Sequence, residues 1–329
     1  MSLFITGASG FIGGAIAKHL HSAHEIAAMA RSEESAAVVQ TLGAAPVACS
    51  LSTVTPDHLA GCNVVVHAAA FVSPTGSREQ FRRANVEGTK RLLAAASLAG
   101  VRRFILISTE AVLFRGQDMG DIDESYPYPK KTPFLYAETK AEAERLVLAA
   151  NDPESGFATI ALRPRLVWGP GDQTILPTIT QMAQAGGFFW FNKGQARTST
   201  THIDNVVHAV KLALNSRANG QPYFITDDEI WTVKDFLTAY AATQGVTLPN
   251  RSLPAGPMRV IGRLTGGLWR LFKLQSEPPL TELAVAAMSA DCTLRIDNAR
   301  QDLGYTPILS VAEGLERMKT KKSQHGLNG

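Results

Sequence analysis

Leu3-Phe4-Ile5-Thr6-Gly7-Ala8-Ser9-Gly10-Phe11-Ile12-Gly13 opens the chain and governs how the rest of it is read. Leu3 to Thr6 is a short apolar run of the kind a buried strand needs, and an amphipathic stretch reaching Leu20 follows the glycines, so the order is strand, turn, helix. Gly7 permits a tight turn, Gly10 lets backbone approach a pyrophosphate, and Gly13 lets helix pack closely on strand. Ser9, Phe11 and Ile12 then stand at a helix amino end whose free N–H groups suit an anion. The stretch predicts the first unit of a dinucleotide-binding sheet.

Outward from it, hydrophobic patterning predicts strands near 2–6, 25–30, 46–49, 63–68, 103–108 and 157–163, with helices such as Phe81 to Ala99 and Tyr136 to Ala150 between them. Such alternation predicts an α/β fold with a doubly wound parallel sheet, the Rossmann arrangement. Pro164, Pro170 and Pro177 then break the rhythm, and Tyr223 to Thr226 reads as a late strand. The 329 residues, 45% hydrophobic and 19% charged, suffice for this domain and a smaller appended one. A net charge of +3 without a long basic run gives no footprint for nucleic acid. Cys49, Cys62 and Cys292 are scattered without C-x-x-C spacing, so neither a metal site nor a disulfide framework is expected. The first strand leaves no room for a signal peptide, and no apolar run reaches the roughly 18 residues of a membrane span, which fits a reducing cytoplasm.

Tyr136 and Lys140, four residues apart, share one helix face. A phenol titrates near pH 10, and a neighbouring ammonium is expected to favour the phenolate and bring that value toward neutrality, which turns the pair into a proton-transfer device.

The spacing of Gly7, Gly10 and Gly13 is longer in its first interval than G-x-G-x-x-G, and with Thr6 before it and Tyr136 and Lys140 beyond, the chain resembles the extended short-chain dehydrogenase/reductases. Further segments match that family in order: Val64 to Ala70, Asn85-Val86-Glu87-Gly88-Thr89, Ile107 to Val112, Arg163 to Gly171 and Thr201 to Val207. The resemblance implies a nucleotide domain from residues 1–168 and 199–227, and a substrate domain from 169–198 and 228–329 that ends in a helix near Ser310 to Lys319. Its closest branch is that of 3β-hydroxysteroid dehydrogenases and dihydroflavonol reductases. It implies Thr109 as a hydrogen-bond donor to a substrate oxygen, Tyr136 as acid and base, and Lys140 on the nicotinamide ribose. Asn85 resembles the family asparagine near the site, with helix capping as the other role open to it. The cofactor would lie along Ala68, Ala69 and Ala70, along Ser50 and Leu51 where the family usually has an aspartate, and near Pro164 and Val167. Ser108 should face away from Thr109 on its strand. His67 and His202 read as structural histidines, and Glu110 as either pocket-facing or solvated.

At the end of the second strand an NAD site would carry a carboxylate for the ribose 2′-hydroxyl. Here Arg31 offers a guanidinium fork and Ser32 a further donor, Glu33 and Glu34 falling past the ribose, so NADP(H) is the expected cofactor. Sugar-nucleotide epimerases and dehydratases usually place Arg-Asp where this chain has Thr198 and Ser199, although Arg197 and Lys193 stand close by. The run Gly187 to Phe191, with Phe71 and Phe114, suggests an apolar pocket. From Met258 to Leu274, Val260, Ile261, Leu264, Leu268, Trp269 and Phe272 alternate with Arg259, Arg263, Arg270 and Lys273, which suits an amphipathic helix touching anionic lipid, a pocket lid or interdomain packing. The expectation is an NADP(H)-dependent enzyme exchanging a ketone and a secondary alcohol on an apolar substrate. A sugar-nucleotide epimerase or dehydratase and an NADP(H)-sensing binding protein are its alternatives. A homodimer through the helices after Asn85 and Tyr136 is the assembly the resemblance implies.

Overall fold

The structure is a computed structural model that describes residues 1–73, 76–271 and 280–325. Its strands in chain order are β1 (Ser2–Thr6), β2 (Glu25–Ala30), β3 (Ala45–Ala48), β4 (Val64–His67), β5 (Arg103–Ile107), β6 (Met119–Ile122) and β7 (Ala158–Pro164). The shorter ones follow: β8 (Val167–Trp168), β9 (Trp190–Phe191), β10 (Arg197–Thr198), β11 (Thr201–His202), β12 (Pro222–Ile225), β13 (Trp231–Thr232), β14 (Ser252–Leu253) and β15 (Cys292–Leu294). The helices are α1 (Phe11–Leu20), α2 (Glu33–Thr41), α3 (Arg78–Phe81), α4 (Gly88–Leu98), α5 (Leu135–Ala149) and α6 (Ile175–Gln184). After them come α7 (Ile203–Asn215), α8 (Val233–Ala242), α9 (Ala255–Leu271), α10 (Glu282–Ser289), α11 (Asp297–Leu303) and α12 (Val311–His325).

Seven strands form one parallel sheet in the order β12-β7-β5-β4-β1-β2-β3. Leu3, Ile5, Val64, Val66 and Ile105 fill one face, while Phe4, Val65, Phe104 and Leu106 fill the other. Consecutive residues of each strand are therefore buried on opposite sides, which is why these strands read as continuous apolar runs. Strand order reverses between β1 and β4, and such a switch point opens a crevice at the carboxyl ends of the strands.

Phe81 to Ala99 is not one regular helix. A π-helical turn at Arg82–Glu87 separates α3 from α4, and such turns occur where a side chain must be re-aimed. The proposed division at residue 168 also needs correction. β6 leaves the amino-terminal segment to pair with β15 in a second sheet ordered β13-β10-β15-β6. From the other direction, α11 and its neighbour return to the large sheet, where Tyr223 Oη donates to Asp302 Oδ2 at 2.9 Å and Tyr305 Oη to the Thr226 carbonyl at 2.8 Å.

Phe188, Trp190 and Phe191 are buried in the small domain. The indole of Trp190 donates to the Pro249 carbonyl at 2.9 Å and stacks edge-on with Phe188, so these rings are core and not a pocket wall. Of the roles open to the stretch from Met258, packing against protein is the one α9 shows. Gly262 lies so close to α10 that a Cβ there would stand 2.7 Å from the Glu282 nitrogen. Arg259 donates to the Gly116 carbonyl at 2.8 Å and Arg263 pairs with Glu282 at 2.5 Å, so both arginines are engaged by protein while Val260, Ile261 and Leu264 face outward. Phe272, Lys273 and Leu274 lie outside the described residues.

Candidate active site

At the turn after β1, Gly7 has φ +75°, and a Cβ there would stand 2.7 Å from the Ala69 nitrogen. At Gly13 a Cβ would come within 2.3 Å of the Gly7 carbonyl oxygen, so helix and turn touch backbone to backbone. Above Gly10 the nearest atom to such a Cβ is Gly7 O at 3.4 Å, which leaves room for a ligand at the amino end of α1. Behind the turn, Thr6 Oγ1 and His67 Nδ1 are 2.7 Å apart, and His67 Nε2 bonds Thr89 Oγ1 at 2.9 Å. Complete burial, aided by Lys140, pushes the His67 imidazole down to about 3, so it is a neutral structural bridge. His202 is structural as well, capping α7 by accepting from Asp204 N at 3.1 Å.

A cleft of about 720 Å³ runs along this turn past Ser9, Ala68 to Ala70, Ser50, Leu51 and Arg31. That volume and the glycine cradle fit a dinucleotide. Arg83 and Gln80 also line it, neither singled out by sequence. Phe11, by contrast, turns its ring to the other side of α1, toward Gly171, so its contribution is backbone. Ser32 is not a spare donor: its hydroxyl caps α2 in a reciprocal box with Ser35. Ser50 Oγ is engaged with Ser52 and Thr53. Glu33, expected past the ribose, lines the adjoining cavity of about 510 Å³ with Arg31. Pro164 and Val167 stand at the end of β7 and in β8.

The chemistry-bearing side chains gather where β5 ends. Thr109 caps a short 3-10 turn, accepting from Ala111 N at 3.2 Å, and its hydroxyl donates to Glu110 Oε2 at 2.8 Å. Its single proton is therefore already given to a carboxylate, where sequence reserved it for a substrate. Tyr136, in the first turn of α5, stands close to Thr109 and Glu110. Ser108 faces away, its buried Oγ without a partner. Lys140 is buried and donates to the Ile107 carbonyl at 2.8 Å. This corrects the expected effect on the phenol: burial, and then the charge of Glu110, push Tyr136 upward, away from neutrality. Burial lowers Lys140 to about 8, against the opposing pull of Glu144 one turn on. Asn85 is neither a helix cap nor free for substrate. From the π-helical turn its Oδ1 accepts from Phe71 N at 2.6 Å, and its Nδ2 donates to Phe71 O at 3.1 Å and Thr139 Oγ1 at 3.2 Å. It thereby clamps the segment after Ala70 to α5.

Two buried ion pairs flank these groups. Glu144 pairs with Arg163 at 2.6 Å and accepts from Tyr128 at 2.5 Å. Glu110 pairs with Arg165 at 2.5 Å, and Arg165 Nε donates to Thr198 Oγ1 at 3.1 Å. Arg197 is held by Asp291 at 3.0 Å. Among the described residues no group of His, Cys, Asp and Glu could hold a metal, and no helix is long and apolar enough to cross a membrane.

The family model described as 3-beta hydroxysteroid dehydrogenase/isomerase matches residues 4–255. A Stigmatella aurantiaca protein named 4-hydroxy-2-methyl-3-oxo-4-farnesyl-3,4-dihydroquinoline-1-oxide ketoreductase is 38% identical over 97% of this chain and 96% of its own length. A 2-alkyl-3-oxoalkanoate reductase from Stenotrophomonas maltophilia is 32% identical over 98% of this chain and 100% of its own. In fold the chain is similar to UDP-glucuronic acid 4-epimerase from Bacillus cereus, with TM-score 0.75 and 20% identity over 98% of this chain and 99% of that one. With its parallel sheet, glycine turn and Thr109, Tyr136 and Lys140 at the end of β5, the chain belongs to the 3-beta hydroxysteroid dehydrogenase/isomerase family of extended short-chain dehydrogenase/reductase oxidoreductases.

Proposed function

We propose that this chain is an NADP(H)-dependent oxidoreductase that interconverts a ketone and a secondary alcohol on an apolar substrate of sterol-like, flavonoid-like or long-chain β-keto type. The gathering of Thr109, Tyr136 and Lys140 where β5 ends, on the strand next to β4, carries it together with the glycine cleft, and relatives named as ketone reductases support it. Ser9, Gly10, Ala68 to Ala70, Ser50, Leu51, Arg31 and Lys140 would hold the dinucleotide, with Pro164 and Val167 near its nicotinamide end. When bound, the nicotinamide supplies or removes the hydride.

Tyr136, kept protonated by burial and by Glu110, gives its proton to the ketone oxygen as that oxygen gains charge, and takes it back in the reverse direction. Thr109, oriented by Glu110, fixes where the oxygen sits. Lys140, held by the Ile107 carbonyl, keeps a positive charge under the site as the phenol gives up its proton. Arg31 beside the capped amino end of α2 supports NADP(H), since a guanidinium and a helix amino terminus both favour a 2′-phosphate.

The epimerase alternative is disfavoured because Arg197 is tied to Asp291 and Thr198 and Ser199 are buried. A cofactor sensor has no need of a proton donor at Tyr136. A cytoplasmic homodimer through α4 and α5 belongs to the same proposal. So does a peripheral membrane contact, supported by the outward Val260, Ile261 and Leu264 and not by the engaged arginines. Nicotinamide absorbance followed with NADPH and then NADH, against 3-ketosteroids, dihydroflavonols, long-chain β-keto compounds and UDP-sugars, tests the activity. Oxidation of NADPH by an apolar ketone is expected. Conversion of a UDP-sugar alone, without net cofactor change, would replace this function with epimerisation.

A further inference from the structure

The Glu110–Arg165 pair lies beside the reacting groups, where the proton step uses Glu110 only to orient Thr109 and to keep the phenol protonated and leaves Arg165 without a part. Its side chains are 11% and 7% exposed, so both charges sit in a dry environment where their interactions with a substrate are weakly screened. Glu110 is the nearer of the two to the chemistry. Its Oε2 accepts the Thr109 hydroxyl at 2.8 Å, while its Oε1 meets Arg165 Nη1 at 2.5 Å on the other side. Only one hydroxyl therefore separates a carboxylate from the place where the substrate oxygen is bound. Arg165 is fixed behind it, with Nε on Thr198 Oγ1 at 3.1 Å and its backbone N on Thr201 Oγ1 at 3.0 Å.

The pair's net charge is zero, but its order matters. A substrate with a carboxylate one carbon removed from its reacting carbon meets the negative member first, and the positive member is already neutralised. Discrimination by an opposing like charge is an efficient way to exclude a close analogue.

We propose that Glu110 is a specificity-determining residue that admits neutral ketones and alcohols and rejects those carrying a carboxylate one carbon removed from the reacting carbon, with Arg165 as its fixed counter-ion. This rests on the ketone–alcohol function above and narrows it. It sets the chain beside a relative whose named substrate carries no carboxylate and apart from one named for a 3-oxoalkanoate.

The test is oxidation of a long-chain 3-hydroxy acid and its methyl ester by the full chain with NADP, read as the ratio of kcat/KM for acid over ester. Both substrates use the same Thr109 and Tyr136, so a general loss of activity in a variant cancels in the ratio. The wild type is expected to favour the ester by about tenfold or more. Arg165→Gln, which leaves a bare carboxylate, should lower the ratio by about a further tenfold, and Glu110→Gln, which leaves a bare guanidinium, should raise it above one. Either variant leaves a buried charge unpaired and can fail to fold. The double variant Glu110→Gln, Arg165→Gln avoids this, and its ratio should rise to within about threefold of one because the near carboxylate is gone. A wild type that handles the acid as well as the ester, or a ratio that stays at the wild-type value in the folded variants, would overturn the inference. Turnover of neither substrate, nor of any ketone, would instead remove the function on which it rests.

Discussion

Lys140 is an ammonium buried against a carbonyl, and its pKa falls to about 8 because the surroundings solvate charge poorly. It holds its proton below that value and loses it above, so ketone reduction should decline on the alkaline side with an apparent pKa near 8, and a profile of kcat/KM against pH reads it. Lys140→Met should abolish that limb and lower kcat/KM by about 10²–10³. His67 gives the complementary case for stability. Its folded-state value, about 3, lies below its ordinary 6.5. Between those values the unfolded chain binds the extra proton, so stability should fall as the pH drops from about 6.5 toward 3. Thermal melts across that range, compared with His67→Gln, should show a shallower acid slope in the variant. That Tyr136 and Lys140 share one helix was legible in sequence because it needs only a spacing of four, whereas His67 meets Thr6 and Thr89 from 61 and 22 residues away. Glu110 and Arg165 are 55 residues apart and meet only through the ends of β5 and β7, and nothing local signals that meeting. For the same reason the phenol's direction of shift was misjudged, since it depends on Glu110 and on burial.

At the level of elements, the glycine turn separates two requirements that look alike in sequence. Gly13→Ala would force a Cβ to 2.3 Å from a backbone oxygen that cannot move without shifting β1 or α1, and a loss of about 3 kcal/mol in unfolding free energy is expected by denaturant titration. Gly10→Ala meets nothing closer than 3.4 Å. It should keep near wild-type stability while weakening dinucleotide binding by about tenfold or more, read by cofactor fluorescence titration. The seven strands of the large sheet were legible to within a residue at their ends because they read as largely apolar runs, while the short strands outside it, two to four residues each, were not. Helix detail was less so. The π-helical turn at Arg82–Glu87 arises from the demand that Asn85 reach both Phe71 and Thr139, a tertiary demand that helical periodicity does not record. The run Phe188 to Phe191 shows the same limit, because an aromatic stripe looks alike whether it lines a pocket or fills a core.

Across the whole molecule, the chain crosses between its seven-stranded and four-stranded sheets in both directions. β6 leaves the nucleotide half for the small sheet, and α11 returns to the large one. Thr109, Glu110 and the Ile107 carbonyl that holds Lys140 thus stand at the end of a strand of the large sheet, while the segment following them, including Gly116 under Arg259, is tied to α9. If the protein is a homodimer through α4 and α5, light scattering should give twice the chain's 35.3 kDa, whereas the monomer mass would exclude it. In the proposed reaction Tyr136 delivers the proton that accompanies hydride transfer to a ketone. Its most direct test is a single-turnover measurement of NADPH oxidation by the enzyme with an apolar ketone, beside Tyr136→Phe with the same cofactor occupancy. The expected result is a rate at least about 10²-fold lower in the variant with cofactor affinity unchanged; equal rates in the two proteins would contradict it.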